Sequence, residues 1–341
     1  MSSRDSKPGW LWAGAAALGW SCLALMTLWA VAALGLDVPV PWLRGPLAAA
    51  YAFAVLAVWV RARRPWKAVV TAAGFLVVLI WWLSLRPSND RDWQPDLALL
   101  AYADLSTPDK VTIRNIRNCE LRTETDYDVH YYDKTFELDK LRTVDLYLVY
   151  WGSPHIAHTM VSFGFEGGDY VCISIETRKE KGESYSAVRG FFRQYELIYV
   201  IADERDVVRV RTNYRHGDDV YLYRARMTPE QGRTFFLEYL RRANELRERP
   251  EWYNALDDNC TTSIRAQRAA DERAPWNWRL LANGHLDWLL YQRDNVVGAG
   301  LPFAELKQRS LINKQAKATD QAPNFSRLIR RDVPGTAGQN P

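Results

Sequence analysis

The chain opens on three uncharged apolar runs and then changes character. Trp10 to Leu36 carries no charged residue over about 27 positions, enough for a helix to cross a hydrocarbon core of about 30 Å. A cleaved signal peptide would have a shorter apolar run and would not be followed by two more. The second run, Pro46 to Val60, spans about 15 residues and the third, Ala68 to Leu85, about 18. Together they predict a membrane anchor of three helices over residues 1–86. Arg61, Arg63, Arg64 and Lys67 lie between the second and third runs, and Arg4 and Lys7 precede the first. The first connection has only Arg44 against Asp37. By the positive-inside rule the N-terminus and the Arg61–Lys67 loop are cytoplasmic, and three crossings put everything after Arg86 on the other side. Trp10, Trp12, Trp42, Trp66, Trp81 and Trp82 fall near the predicted ends, where amphipathic rings prefer the interface.

Residues 87–96, with Pro87 and Pro95, read as a linker, residues 97–334 as the globular part, and residues 335–341 as a disordered tail. Within the globular part the short runs Asp145–Trp151, His158–Phe165, Tyr170–Glu176, Tyr195–Ile201, Val207–Arg211 and Val220–Arg224 predict strands. Glu166-Gly167-Gly168-Asp169 predicts a hairpin turn centred between the glycines, so that paired positions sum to about 335. His158 then faces Thr177, with Glu176 within one residue of register. After Val220–Arg224 the period changes. Thr228 as N-cap, Pro229 at the first helical position and Gln231 form a capping box. The following run places Phe235, Phe236, Tyr239, Leu240, Ala243 and Leu246 on one helical face. A second helix is predicted to begin at Asp258 or Asn259. The expected class is α+β, an antiparallel sheet with helices behind membrane spans.

A net charge of +4 over 341 residues gives no reason to expect nucleic acid, and no Walker loop, zinc-finger spacing or GxGxxG motif is present. Four widely separated cysteines, Cys22, Cys119, Cys172 and Cys260, make a disulfide framework improbable. Cys260 has the strongest chemistry. A cap at Asp258 or Asn259 places it in the first turn of a helix, where the dipole and free N–H groups favour thiolate and suit an oxyanion. His158, at the start of a strand, is the candidate base, and Glu176 across the hairpin is its candidate orienter. A structural histidine and a structural cysteine are the bland alternatives. His155 lies three residues from His158, and on a regular strand the two face opposite ways. Tyr195 and Tyr253 are candidate groove residues. Cys172 shares a strand face with Glu176 and reads as core filling. His155 and Cys260 lack metal-ligand spacing, so no metal or other cofactor is expected. Glu196, Glu204, Arg205, Asp206 and Arg211 read as a surface charge network, and Arg178 to Glu183 as a solvated loop.

Tyr150-Trp151-Gly152, His158 through Phe165, Ser174 through Arg178, Tyr195 through Tyr199, Glu204-Arg205-Asp206, Tyr253-Asn254 and Asn259-Cys260-Thr261-Thr262 together resemble the Lnb N-terminal periplasmic domain family of bacterial membrane proteins. The likeness continues through Asn283-Gly284, Leu301-Pro302-Phe303 and Phe325 to Arg330, about 230 residues in all; the first 85 or so are outside it. The resemblance implies a lipoprotein N-acyltransferase-like activity. A histidine on a strand followed by a cysteine at a helix start also resembles the permuted papain-like enzymes, including the NlpC/P60 and lecithin:retinol acyltransferase groups. That likeness implies Cys260 as nucleophile, His158 as base, Glu176 as third member and Asn259 as cap or oxyanion helper. The expected function is acyl transfer from a phospholipid to a lipoprotein amine through a thioester, at the periplasmic face of the bacterial inner membrane. A cysteine hydrolase of the cell envelope, peptidase or amidase, would use the same residues, with a dry apolar groove favouring transfer and an open polar cleft favouring hydrolysis. A non-catalytic lipid- or protein-binding module is the third alternative.

Overall fold

The computed structural model describes residues 9–254 and 283–336. They form two compact units, one of residues 1–87 with 186–194 and one of residues 88–185 with 195–341.

The first unit contains three helices, α1 (Gly9–Asp37), α2 (Pro41–Arg61) and α3 (Arg64–Ser84), each with a segment long and apolar enough to cross a membrane. The second of them was expected from Pro46, but Pro41 already occupies the first helical turn and Pro46 lies inside the helix. Starting at Pro41 lengthens it to 21 residues, or about 31 Å at 1.5 Å per residue. Two polar pairs join the helices, as a medium without water favours. The Trp59 indole donates to Thr71 Oγ1 at 3.0 Å and the Trp82 indole to Asp37 Oδ2 at 2.7 Å.

The second unit is built on an eight-stranded sheet. Its strands are β1 (Tyr102–Asp104), β2 (Lys110–Arg117), β5 (Tyr131–Glu137), β6 (Leu141–Trp151), β7 (Ala157–Phe165), β8 (Asp169–Arg178), β9 (Glu196–Ala202) and β10 (Asp218–Arg224); β3 (Glu120–Leu121) and β4 (Tyr127–Asp128) pair separately. The order is β1-β2-β9-β8-β7-β6-β10, with β5 also on β2. All these pairings are antiparallel except the short parallel contact of β2 with β9. The mixed sheet and its helices make the α+β class expected from the sequence.

Both faces of the central strands are covered, which is why they read as nearly continuous apolar runs. On one face Leu146, Leu148, Val161, Phe163, Val171, Ile173, Leu197 and Tyr199 pack under α5 (Pro229–Glu248). That helix has the predicted capping box, with Thr228 Oγ1 accepting from Gln231 N–H and Gln231 Oε1 from Thr228 N–H. Its six predicted core positions are all buried. On the other face Tyr147, Val149, Met160, Cys172, Val200 and Val220 pack with Val207, Val208, Ile312, Ala316, Phe325 and Ile329. Four short helices supply part of the C-terminal cover: α6 (Leu286–Gln292), α7 (Phe303–Ser310), α8 (Asn313–Ala318) and α9 (Phe325–Leu328).

Three local expectations are corrected. Val207–Arg211 is not a strand: α4 (Glu204–Arg209) runs on into a π-helical turn, Val210–Tyr214. Asp203 starts it as an N-cap, its side chain accepting from Arg205 N–H, with Glu204 and Asp206 in the first turn. The charges of this stretch are also not a surface network, since Glu204, Asp206, Arg209 and Arg211 are buried. Glu204 accepts both guanidinium Nη atoms of Arg330, the Tyr147 hydroxyl and the Ser162 hydroxyl. Arg330 also donates to Asp145, which Arg224 holds from the other side. Asp206 takes both Nε and Nη2 of Arg117 at 2.9 Å. Arg178 is likewise buried, its guanidinium over the Trp93 ring and its donors on the carbonyls of Leu97 and Ala98.

Glu196, another member of that expected network, is 1% exposed on β9. Burial pushes its carboxyl up from the ordinary 4.5 to about 7, against Arg91 and the Ser88 N–H, which favour the charge. A raised carboxyl pKa favours the folded state at low pH. That contribution is full below about 4.5 and is lost as the pH rises through about 7, a difference of about 3 kcal/mol. Glu196→Gln is expected to flatten the stability difference between pH 4 and pH 8 by this amount. Denaturant unfolding of the full chain in detergent at the two pH values checks it; an unchanged difference would contradict it.

Candidate functional site

The turn between β7 and β8 sets the register of the site. Phe165 pairs with Asp169, leaving a three-residue loop, Glu166-Gly167-Gly168, in which both glycines have positive φ. Paired positions therefore sum to 334, from Phe165–Asp169 to Met160–Ser174, where a two-residue turn would have given 335. Extended along the same register, His158 stands opposite Glu176 instead of Thr177. Residues opposite each other point to one face. His158, Ser174 and Glu176 share the parity of Met160 and Cys172, so all three project toward the sheet face covered by α4.

The three side chains form a chain of hydrogen bonds. His158 Nε2 lies 2.7 Å from Ser174 Oγ and 3.2 Å from Glu176 Oε1. Ser174 Oγ donates to Glu176 Oε1 at 2.6 Å, and Arg211 Nη2 donates to the same oxygen at 2.8 Å. Burial pushes the Glu176 carboxyl up, but His158, Arg211 and Ser174 outweigh it and hold it well below the usual carboxylate range. An ionised carboxylate can only accept. The Ser174 proton is thereby directed to Glu176, and Ser174 Oγ accepts from His158 Nε2–H. His158 therefore carries a proton on Nε2, so in the neutral ring Nδ1 is the basic nitrogen. Ser174 and Arg211 were not picked out as site residues. The two-residue spacing of Ser174 and Glu176 on one strand face was the available signal for the first. Nothing local marked Arg211, which arrives from the π-helical turn after α4.

A cavity of about 550 Å³ opens at the carboxylate end of this array, lined among others by Glu176, Arg211, Arg215, Arg117, Glu124 and Cys119. Its walls mix charged side chains with apolar ones such as Leu97, Leu121, Val207 and Val210. Burial raises the Cys119 thiol, with the Asp206 carboxylate adding to the effect, so Cys119 stays protonated. Cys172, expected as core filling, is fully buried next to Met160, and burial raises its thiol far above the ordinary range.

His155 precedes β7 in a turn, and its Nδ1 lies 3.2 Å from His285 Nε2. Gly284 makes that approach possible. Its N–H donates to the His155 carbonyl at 3.0 Å, and a Cβ there would come within 2.4 Å of the Pro154 carbonyl oxygen. Tyr195 is fully buried, with its hydroxyl donating to the Ser184 carbonyl, and its own carbonyl accepts from Tyr253 N–H. Tyr253 packs against the core under α5. Among the described residues no group of three or more His, Cys, Asp or Glu side chains is placed to hold a metal ion. Cys260 and Asn259 lie outside the described residues.

Fold and site define a class: a membrane-anchored protein whose α+β domain orders a histidine, a serine and a carboxylate along one hairpin. Residues 127–284 match the family model of the Lnb N-terminal periplasmic domain. The match takes in His158, Ser174, Glu176, Arg211 and Cys260; the likeness in Leu301–Phe303 and Phe325–Arg330 lies beyond it. The protein is thus membrane-associated with a periplasmic domain. Neither the curated proteins nor the solved structures give a match.

Proposed function

We propose that the periplasmic domain is a thiol acyltransferase that uses Cys260 as nucleophile and His158 as base, in the plan of the permuted papain-like enzymes. The observation that carries it is the Glu176–Ser174–His158 chain, which leaves Nδ1 as the basic nitrogen of a held imidazole. Nδ1 takes the proton from the Cys260 thiol, and the thiolate attacks the ester carbonyl of a phospholipid. Asn259 helps hold the oxyanion. The tetrahedral adduct expels the lysophospholipid alkoxide, which receives the proton from His158, and an acyl thioester remains on Cys260. The amino group of a lipoprotein then attacks the thioester and gives its proton to His158. The C–S bond breaks, the amide is released, and the proton returns to the Cys260 sulfur. Three helices long and apolar enough to cross a membrane suit a lipid donor, because they hold the domain at the bilayer.

A specific observation favours a second reading. The cavity beside Glu176 is lined by charged side chains, which suits water as acceptor and hence hydrolysis in the cell envelope. The two readings share their first half and differ in the acceptor. Full-length protein in vesicles of a phospholipid with labelled acyl chains would be given a lipopeptide with a free N-terminal amine. Label in the peptide amide is the expected result. Label released only as free fatty acid would establish the hydrolase instead.

A further inference from the structure

The connection between β8 and β9 departs from the sheet domain in one respect: its residues Ser186–Gln194 belong to the unit of the three apolar helices. Phe192 is buried there, stacked on Trp29 at 6.3 Å between ring centres. Arg193 lies over the Trp82 ring at 4.3 Å and donates to the carbonyls of Leu83 and Leu85. Gln194 donates to the Leu36 carbonyl at 3.0 Å and to Asp37 Oδ1. These ties hold the segment at the ends of α1 and α3, where the backbone carbonyls of a helix lack internal partners. Arg61, Arg63, Arg64 and Lys67 mark the opposite ends of α2 and α3. By the positive-inside rule the segment is therefore held at the non-cytoplasmic level of the bilayer interface.

The segment is pinned by three consecutive residues, yet it presents apolar side chains outward. Val188 is 64% exposed and Phe191 50%. Between them Arg189 starts a single 3₁₀ turn, Arg189–Phe191. Apolar side chains beside a basic one at this depth are the composition of an element that lies in the headgroup layer, the apolar groups among acyl chains and the guanidinium at phosphates. The continuity of the segment with helices whose outward residues include Trp42 at 74% and Phe53 at 71% exposure makes lipid the occupant of its surroundings.

We propose that Ser186–Gln194 is an interfacial element whose Val188 and Phe191 side chains insert into phospholipid of the non-cytoplasmic leaflet, with Arg189 at the phosphates. Through its covalent link to β8, the strand that carries Ser174 and Glu176, the domain is tied to the leaflet at a second place besides the helix termini. This inference rests on the helical unit and not on the chemistry of Cys260.

The test places p-benzoylphenylalanine at 188 and, in a separate variant, at 191 of the full chain in vesicles of phosphatidylethanolamine and phosphatidylglycerol. The same residue at Lys317, an exposed position on α8, is the control. After irradiation the expected product at 188 and 191 is the chain plus the mass of one phospholipid, with none at 317. A product of twice the chain mass would make the face a contact between two copies and overturn the proposal. So would lipid adduct no greater than at 317. A lipid adduct here together with no acyl group on Cys260 would overturn only the acyltransferase reading.

Discussion

Replacing His158 with alanine is expected to lower acyl transfer by about 10²–10⁴-fold, the usual contribution of a positioned general base. The same variant should slow alkylation of Cys260 near neutral pH, because the thiol loses the group that ionises it. Nε2 of His158 is engaged by Ser174 and Glu176. Removal of the ring therefore takes away the base and leaves the Glu176–Arg211 pair in place. Glu176→Gln acts differently. It keeps the size of the side chain but lets the amide donate, so Ser174 no longer has to direct its proton to residue 176 and the tautomer at His158 is no longer fixed. Its signature is a changed pH profile of alkylation with Cys260 still present. Wild-type rates and an unchanged profile in both variants would remove His158 from the role of base.

Arg330→Met is expected to destabilise the periplasmic domain by about 3–5 kcal/mol, the cost of leaving buried charge uncompensated. Arg330, Glu204 and Asp145 have no exposed side-chain surface, and Arg330 donates to both carboxylates. Without it Asp145 keeps Arg224, but Glu204 retains only neutral donors, Tyr147 and Ser162. The double variant Arg330→Met with Glu204→Leu removes both charges of the tighter pair. Its loss should be smaller than the sum of the single losses, the mark of a coupled pair. Denaturant unfolding of the four proteins in detergent measures the cycle. A loss under about 1 kcal/mol for Arg330→Met, as for an exposed ion pair, would show that the network contributes little.

Elements governed by local pattern were legible in the sequence. Three apolar runs, the capping box of α5 and the hairpin of β7 and β8 each carry their signal within a few residues, and each is present. What failed depended on distant partners or on loop geometry. The register slipped by one because two adjacent glycines look like a two-residue turn, while both take positive φ inside a three-residue loop. The slip matters, because a one-residue change of register moves a side chain to the other face. It separates Thr177 from Glu176 as the partner of His158. The run Val207–Arg211 alternates like a strand, but Asp203 caps a helix there, a signal present in the sequence and outweighed by the period. Glu204, Asp206 and Arg211 read as surface because charged residues usually are. Their partners Arg330, Arg117 and Glu176 lie 35 to 126 residues away. Such pairs leave no local trace. The site was therefore legible in its strand residues, His158 and Glu176, and illegible in Arg211, which helps hold Glu176 ionised.

The central claim is that the imidazole ordered by Ser174 and Glu176 serves a nucleophilic Cys260. Intact mass spectrometry of the full-length protein after incubation with phospholipid vesicles tests it most directly, with Cys260→Ala and His158→Ala in parallel. An added mass of one acyl chain on the wild type, absent from both variants and removed by hydroxylamine as a thioester is, is the predicted result. An unmodified wild-type chain whose Cys260 also fails to react with alkylating reagents would contradict it and leave a domain that binds lipid or protein without chemistry.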